Sequence, residues 1–399
     1  MGDKGSLLGR LQSYEKCLFV ALTTLAVGCS GAPSDDDFSG VAYPNRRPSF
    51  EPAGRRLGYV ANRNSDTVSV LDLDGMTLLG SVPVGRDPVD IDGPRHVVID
   101  AANQLAYVAL SYPFSVQSPH VLSQGATQRN GYVEALRLLD LSVDGNLRVD
   151  PNATDIAFSP TTGRLAVSHF DLFLALQSDS EARRANLILV DPARAIVASN
   201  ALPRRVPICA APAAIAFDGA GSRVFVACTG EDSLAVVDSQ TDEVLSRVPA
   251  GSSTVNKPYA LVADAGRERL LVANQVSTAV SVFDMSDTPQ LLSTLTVLGV
   301  PFFSAFVTDT TVVVPFQNPN GAALFDITTG AQLVQIEYSA DECTNPAEFT
   351  LTDDDRLRLV CEGDHYRPGA VVELDPGTLA IESSVSVGVY PERMAITQP

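Results

Sequence analysis

The residues with the greatest chemical reach in this 399-residue chain are four cysteines and a dispersed set of histidines and carboxylates. Cys209 and Cys228 are 19 residues apart, and Cys343 and Cys361 are 18 apart. Such thiols could form two disulfides or one four-thiolate metal centre. His120, His169 and His365, with Asp171, Glu231, Asp232, Glu362 and Asp364, mix imidazole with carboxylate, a combination suited to metal binding or acid–base work. Asn62, Arg63, Tyr112, Asn274, Gln317 and Asn318 could supply neutral or cationic partners. No HExxH, EF-hand loop, CxxCH, Walker loop or GxSxG occurs, so no catalytic residue, metal or cofactor is assigned.

Whether these residues meet depends on the elements that carry them, and those elements repeat. Apolar runs close on an aspartate at Asp72, Asp140, Asp191, Asp238, Asp284, Asp326 and Asp375, at intervals of 68, 51, 47, 46, 42 and 49 residues. That period suits a four-stranded propeller blade. In the fourth repeat, strands read from Ala214 to Phe217, Val224 to Cys228, Leu234 to Val237 and Val244 to Val248, separated by short turns. Helical periodicity is nearly absent, which excludes parallel β/α architectures. Glu392 to Thr397 reads as an innermost strand with nothing after it, whereas the first repeat begins at Arg55 without one. Joining the two closes a ring. The expected fold is therefore an all-β, seven-bladed propeller of four-stranded antiparallel blades over residues 55–399. The seven aspartates read as structural, each accepting hydrogen bonds from the N–H groups of its turn.

This ring places the candidates. Each cysteine pair brackets the first two strands of a blade, blade four and blade seven, which predicts disulfides Cys209 to Cys228 and Cys343 to Cys361. Loops between second and third strands share one face with the connections between blades. Two are enlarged, Ser111 to Tyr132 and His169 to Ala185, and the candidate residues lie on that face. His96 starts a first strand and reads as packed or hydrogen-bonded.

Tyr59-Val60-Ala61-Asn62, followed by NSDTVSVLDLDGMTLLGSVPVG, resembles the YVTN β-propeller repeat of bacterial and archaeal surface or periplasmic proteins. Val84-Gly85 with Pro88 and Val387-Gly388 with Pro391 repeat that family's exit from the fourth strand. The resemblance implies the fold and a place outside the cytoplasm.

At the N-terminus, Lys4, Arg10 and Lys16 precede an apolar stretch from Cys17 to Val27 and the sequence Leu25-Ala26-Val27-Gly28-Cys29. This resembles a lipoprotein signal peptide over residues 1–28, with Cys29 lipidated and residues 29–54 a flexible tether. The resemblance implies an outer-membrane or cell-surface lipoprotein; the alternative is a soluble periplasmic or secreted protein. Apolar residues make up 45% and charged residues 19%, a globular composition. A net charge of −19 argues against nucleic acid as a partner.

Two functions fit. One is a monomeric, membrane-anchored binding module offering its loop face to a protein, polysaccharide or small ligand, and the lack of a recognisable catalytic motif favours it. The other is a hydrolase resembling the lactonase propellers, with its site at the channel mouth.

Overall fold

The computed structural model describes residues 49–52, 54–85, 91–111, 130–197 and 201–397. They form seven antiparallel sheets, six of four strands and one of five. Blade one is completed from both ends of the chain: Pro391–Thr397 pairs with Leu57–Asn62, which continues to Thr67–Asp72 and Thr77–Pro83. The expected ring closure and blade count are both present.

The strands differ by radial position for a physical reason. Second and third strands such as Leu57–Asn62 and Ser233–Asp238 are covered by neighbouring blades on both faces, so every residue between their ends is buried and apolar or glycine. Outermost strands such as Val244–Pro249 have one wet face and alternate half-buried with exposed residues. In blade four the strands are Pro212–Phe217, Arg223–Cys228, Ser233–Asp238 and Val244–Pro249, within two residues of the bounds expected.

All seven aspartates tie the turn that follows the third strand. Each accepts from a backbone N–H two or three residues on, as Asp238 does from Gln240 and Thr241. Both disulfides are formed, with Cα atoms 5.9 Å apart for Cys209–Cys228 and 5.3 Å for Cys343–Cys361. The four-thiolate alternative therefore falls.

The structure departs from expectation in three places. Blade six has no continuous innermost strand; Val300–Pro301 and Ala305–Phe306 pair separately with Thr311–Gln317. Between them Phe303 exchanges hydrogen bonds with Ala347 and Phe349 of blade seven. Within the stretch expected to be tether, Phe50 is buried among residues of blades one and two and donates its N–H to Leu139 O. The loop after His169 holds a single helical turn, Leu172–Ala175. The signal peptide, Cys29, His120 and Tyr112 lie outside the described residues. Among the described residues no helix is long and apolar enough to cross a membrane.

Candidate functional site

Innermost strands begin with proline in five blades, at Pro94, Pro212, Pro258, Pro346 and Pro391; in blade six Pro301 stands second, after Val300, and in blade three Ala153 takes the place. Proline has no N–H to give the ladder, so it suits a strand start beside a bulge. In every blade but the sixth the register shifts at this point, as between Pro94 and His96. A bulge re-aims the side chains next to it. Here the side chains concerned meet at the channel.

The lower of the two resulting rings is made by the second residue after the proline position. Around the channel it reads His96, Asp155, Ala214, Ala260, Phe303, Glu348 and Arg393 from blades two to seven and then one. Four of these form a buried charged arc. Arg393 reaches Asp155 Oδ1 at 2.8 Å and Glu348 Oε1 at 2.8 Å, and His96 Nδ1 reaches Asp155 Oδ1 at 2.6 Å. The backbone N–H groups of Ile156 and Ile215 also donate to Asp155, and that of Met394 donates to Glu348. Burial alone would raise the Asp155 pKa. Arg393 and His96 outweigh it and hold the carboxyl below the usual aspartate value. Phe303 lies 3.9 Å from the Arg393 guanidinium and covers it from the apolar arc.

The upper ring starts with the first residue after the proline position, and it lines a cavity of about 290 Å³. Glu392 is clasped between Arg63 at 2.9 Å and Arg95 at 3.2 Å. Arg95 also donates to the Tyr259 hydroxyl at 3.0 Å, across the channel from blade two to blade five. Burial pushes the Tyr259 phenol up, so it stays protonated. Over these residues sit Gln317, Glu362 and His365. His365 Nε2 is 2.9 Å from Glu362 Oε2, and the imidazole stacks on Tyr390 with centroids 3.6 Å apart. Glu362 is 7% exposed, and burial raises its pKa above the ordinary glutamate value; the nearby Glu392 adds to this, while His365 and Gln317 oppose it. The result is a carboxylate–imidazole pair that shares one cavity with a guanidinium and a phenol. That arrangement can accept a proton from water on one side and stabilise negative charge on the other.

Of the residues singled out from sequence, Arg63, Gln317, Glu362 and His365 converge here. The following described candidates do not. Asn62 is fully buried, bonding Thr67, Ser69 and Gly388, and Asn274 occupies the matching position in blade five, bonding Ala250 and Ser281. Asp171 caps the helical turn by accepting from Leu174, and Asp232 and Asp364 accept turn N–H groups. Glu231 is exposed and accepts from Ala210 N. His169 is buried away from the cavity, its Nδ1 on Asn186 O, and desolvation lowers its pKa. Among the described residues no cluster of three potential ligands could hold a metal ion.

Arg95, Asp155, Tyr259, Tyr390, Glu392, Arg393 and the apolar members of both rings were missed. For Arg95, Tyr259, Glu392 and Arg393 the signal was present in the sequence as proline recurring just before them at blade spacing; Asp155, after Ala153, and Tyr390, before Pro391, lack it.

Fold and site together define a seven-bladed β-propeller with a polar pocket at one mouth of its channel. The profile of a family described as "Lactonase, 7-bladed beta-propeller" matches residues 193–301. The fold is similar to that of the periplasmic gluconolactonase of Pseudomonas aeruginosa, at 14% identity over 86% of this chain and 99% of that one, with a TM-score of 0.63. It is also similar to a putative 6-phosphogluconolactonase of Bacteroides fragilis, at 9% identity over 88% and 99% of the two chains, TM-score 0.62. Dihydro-heme d1 dehydrogenase is similar at 16% identity over 88% of this chain and 77% of that one, TM-score 0.56. A search of curated protein sequences returns no match.

Proposed function

We propose that this protein is a hydrolase of small lactones, acting at the channel mouth. The observation that carries the reading is the pair of buried Glu362 and half-buried His365, which line one small cavity together with Arg95 and Tyr259. The partial lactonase profile and the gluconolactonase-like neighbours favour it over the binding module that the lack of sequence motifs suggested.

In the proposed reaction Glu362 fixes the imidazole through Nε2, leaving Nδ1 to take a proton from water as its oxygen bonds the lactone carbonyl carbon. Arg95 and Tyr259 donate to the developing oxyanion. Collapse breaks the ring C–O bond, and the departing alkoxide takes the proton back from the imidazolium. Lactone and water become one hydroxy acid, and no metal is required by this balance.

The two disulfides support an exported protein, since such bonds persist in oxidising compartments. Export through a lipoprotein-type signal, with Cys29 as anchor, is the accompanying proposal.

The test is base uptake at constant pH with δ-gluconolactone and δ-valerolactone. Wild type should open at least one above background, and Glu362→Gln and His365→Gln should each lose about 100-fold or more in kcat. No turnover with either lactone, or full activity in both variants, would overturn the reading.

A further inference from the structure

The cavity has two unlike walls. Blades seven, one and two contribute Glu362, His365, Glu392 and Arg95, while blades four to six contribute Ala214, Tyr259, Phe302 and Phe303. Tyr259 and Phe302 stand edge to face with centroids 6.0 Å apart, and Phe170 meets Tyr259 in the same way at 6.1 Å. Gln275 and Gln317 are the polar interruptions on this side, and both line the cavity.

The apolar side does not stop at the cavity. Val276 follows Gln275 on the same mouth and is 58% exposed. Leu298, in the connection from blade five to blade six, is 50% exposed, and Val255, between blades four and five, is 44% exposed. Scattered single apolar residues on a surface need no explanation. These three lie on hydrogen-bonded neighbouring connections of one face: Val276 donates its N–H to Asn256 O, next to Val255, and Val297, next to Leu298, donates to Thr278 O. An apolar sector leading into a polar reaction site fits a ligand with an apolar arm and a polar head.

Resting on the hydrolase reading, we propose that the preferred substrates are lactones bearing an alkyl or aryl substituent. The substituent lies on the wall of blades four to six, and the ester faces Glu362 and His365. A polyhydroxylated ring would set hydroxyls against the aromatic faces, where Gln275, Gln317 and the Tyr259 hydroxyl cannot pair all of them, which costs affinity.

The experiment compares kcat/KM for δ-decalactone, δ-valerolactone and δ-gluconolactone in wild type, Val276→Asp and Leu298→Asp. Both changes fall at exposed positions, where folding is little affected. In parallel, calorimetry measures δ-decalactone binding to Glu362→Gln. Full burial of a methylene is worth about fourfold in binding. With the arm partly buried, wild type should favour δ-decalactone over δ-valerolactone by about tenfold or more, and the rim variants should reduce that ratio.

A δ-gluconolactone preference, with a decalactone-to-valerolactone ratio near one in all three proteins, would overturn the inference while leaving lactone hydrolysis standing. If no lactone is opened, the hydrolase reading fails. Calorimetric binding of δ-decalactone, weakened when Val276→Asp is added to Glu362→Gln, would then still support the apolar subsite; no binding would overturn it as well.

Discussion

Two sets of seven equivalent positions behave in opposite ways. At the outer turns every blade carries the same residue, aspartate, and each aspartate accepts from a turn N–H. At the starts of the innermost strands the residue two after the proline position is histidine, aspartate, alanine, alanine, phenylalanine, glutamate or arginine. The turn poses one local problem, unsatisfied N–H groups, and one side chain solves it in any blade. The strand start faces a shared channel in which each blade meets different neighbours. Repetition therefore marks what builds the blade, and departure from repetition marks where the blades act together.

The largest expected effect comes from breaking the non-repeating set. Arg393→Met removes the cation between Asp155 and Glu348, leaving Glu348 without a cationic partner and Asp155 with His96 alone, so urea unfolding should show a loss of about 3–5 kcal/mol. The pH dependence follows from Asp155. Its pKa is lowered in the fold, so its stabilisation is present above the ordinary aspartate value and is lost as pH falls through the folded value. The variant should show a smaller acid-side loss, because His96 and the backbone donors to Asp155 remain.

Next in size are the staples. Cys209→Ala with Cys228→Ala, and separately Cys343→Ala with Cys361→Ala, should each cost about 3 kcal/mol in chemical denaturation, because the closed loops are nearly equal. Unequal costs would show that blades four and seven are not interchangeable in stability.

A single outer turn should matter less. Asp284→Ala removes an acceptor used by Ser286 and Gln290 and should cost about 1 kcal/mol, with lactone turnover unchanged. A loss of turnover there would break the division between building and acting positions.

Smallest is the effect of Glu362 on folding. Its pKa is raised, so the carboxyl favours the fold at low pH and that contribution is lost as pH rises through the folded value. Glu362→Gln should therefore match or slightly exceed wild type in thermal stability at neutral pH.

The same contrast decides what was legible in the sequence. Blade number, ring closure and both disulfides could be read because they follow from spacing alone. Glu362 and His365 could be read because they are three residues apart in one loop. Arg393 and Asp155 are separated by 238 residues, and nothing local joins them. Their meeting depends on the bulge at the start of each of these two innermost strands, which turns the next side chains toward the channel. Asn62 and Asn274 misled for the converse reason. They sit at the right end of the second strand, but their amides face inward to the sheet's own hydrogen bonds.

The most direct test is the pH dependence of kcat/KM for lactone opening in wild type and Glu362→Gln, corrected for the uncatalysed rate. If the Glu362–His365 pair does the chemistry, wild-type activity should fall on the acid side through a value above the ordinary glutamate pKa of about 4.3, and the variant should lose that limb along with most of its activity. Equal activity and the same acid limb in both proteins would contradict it.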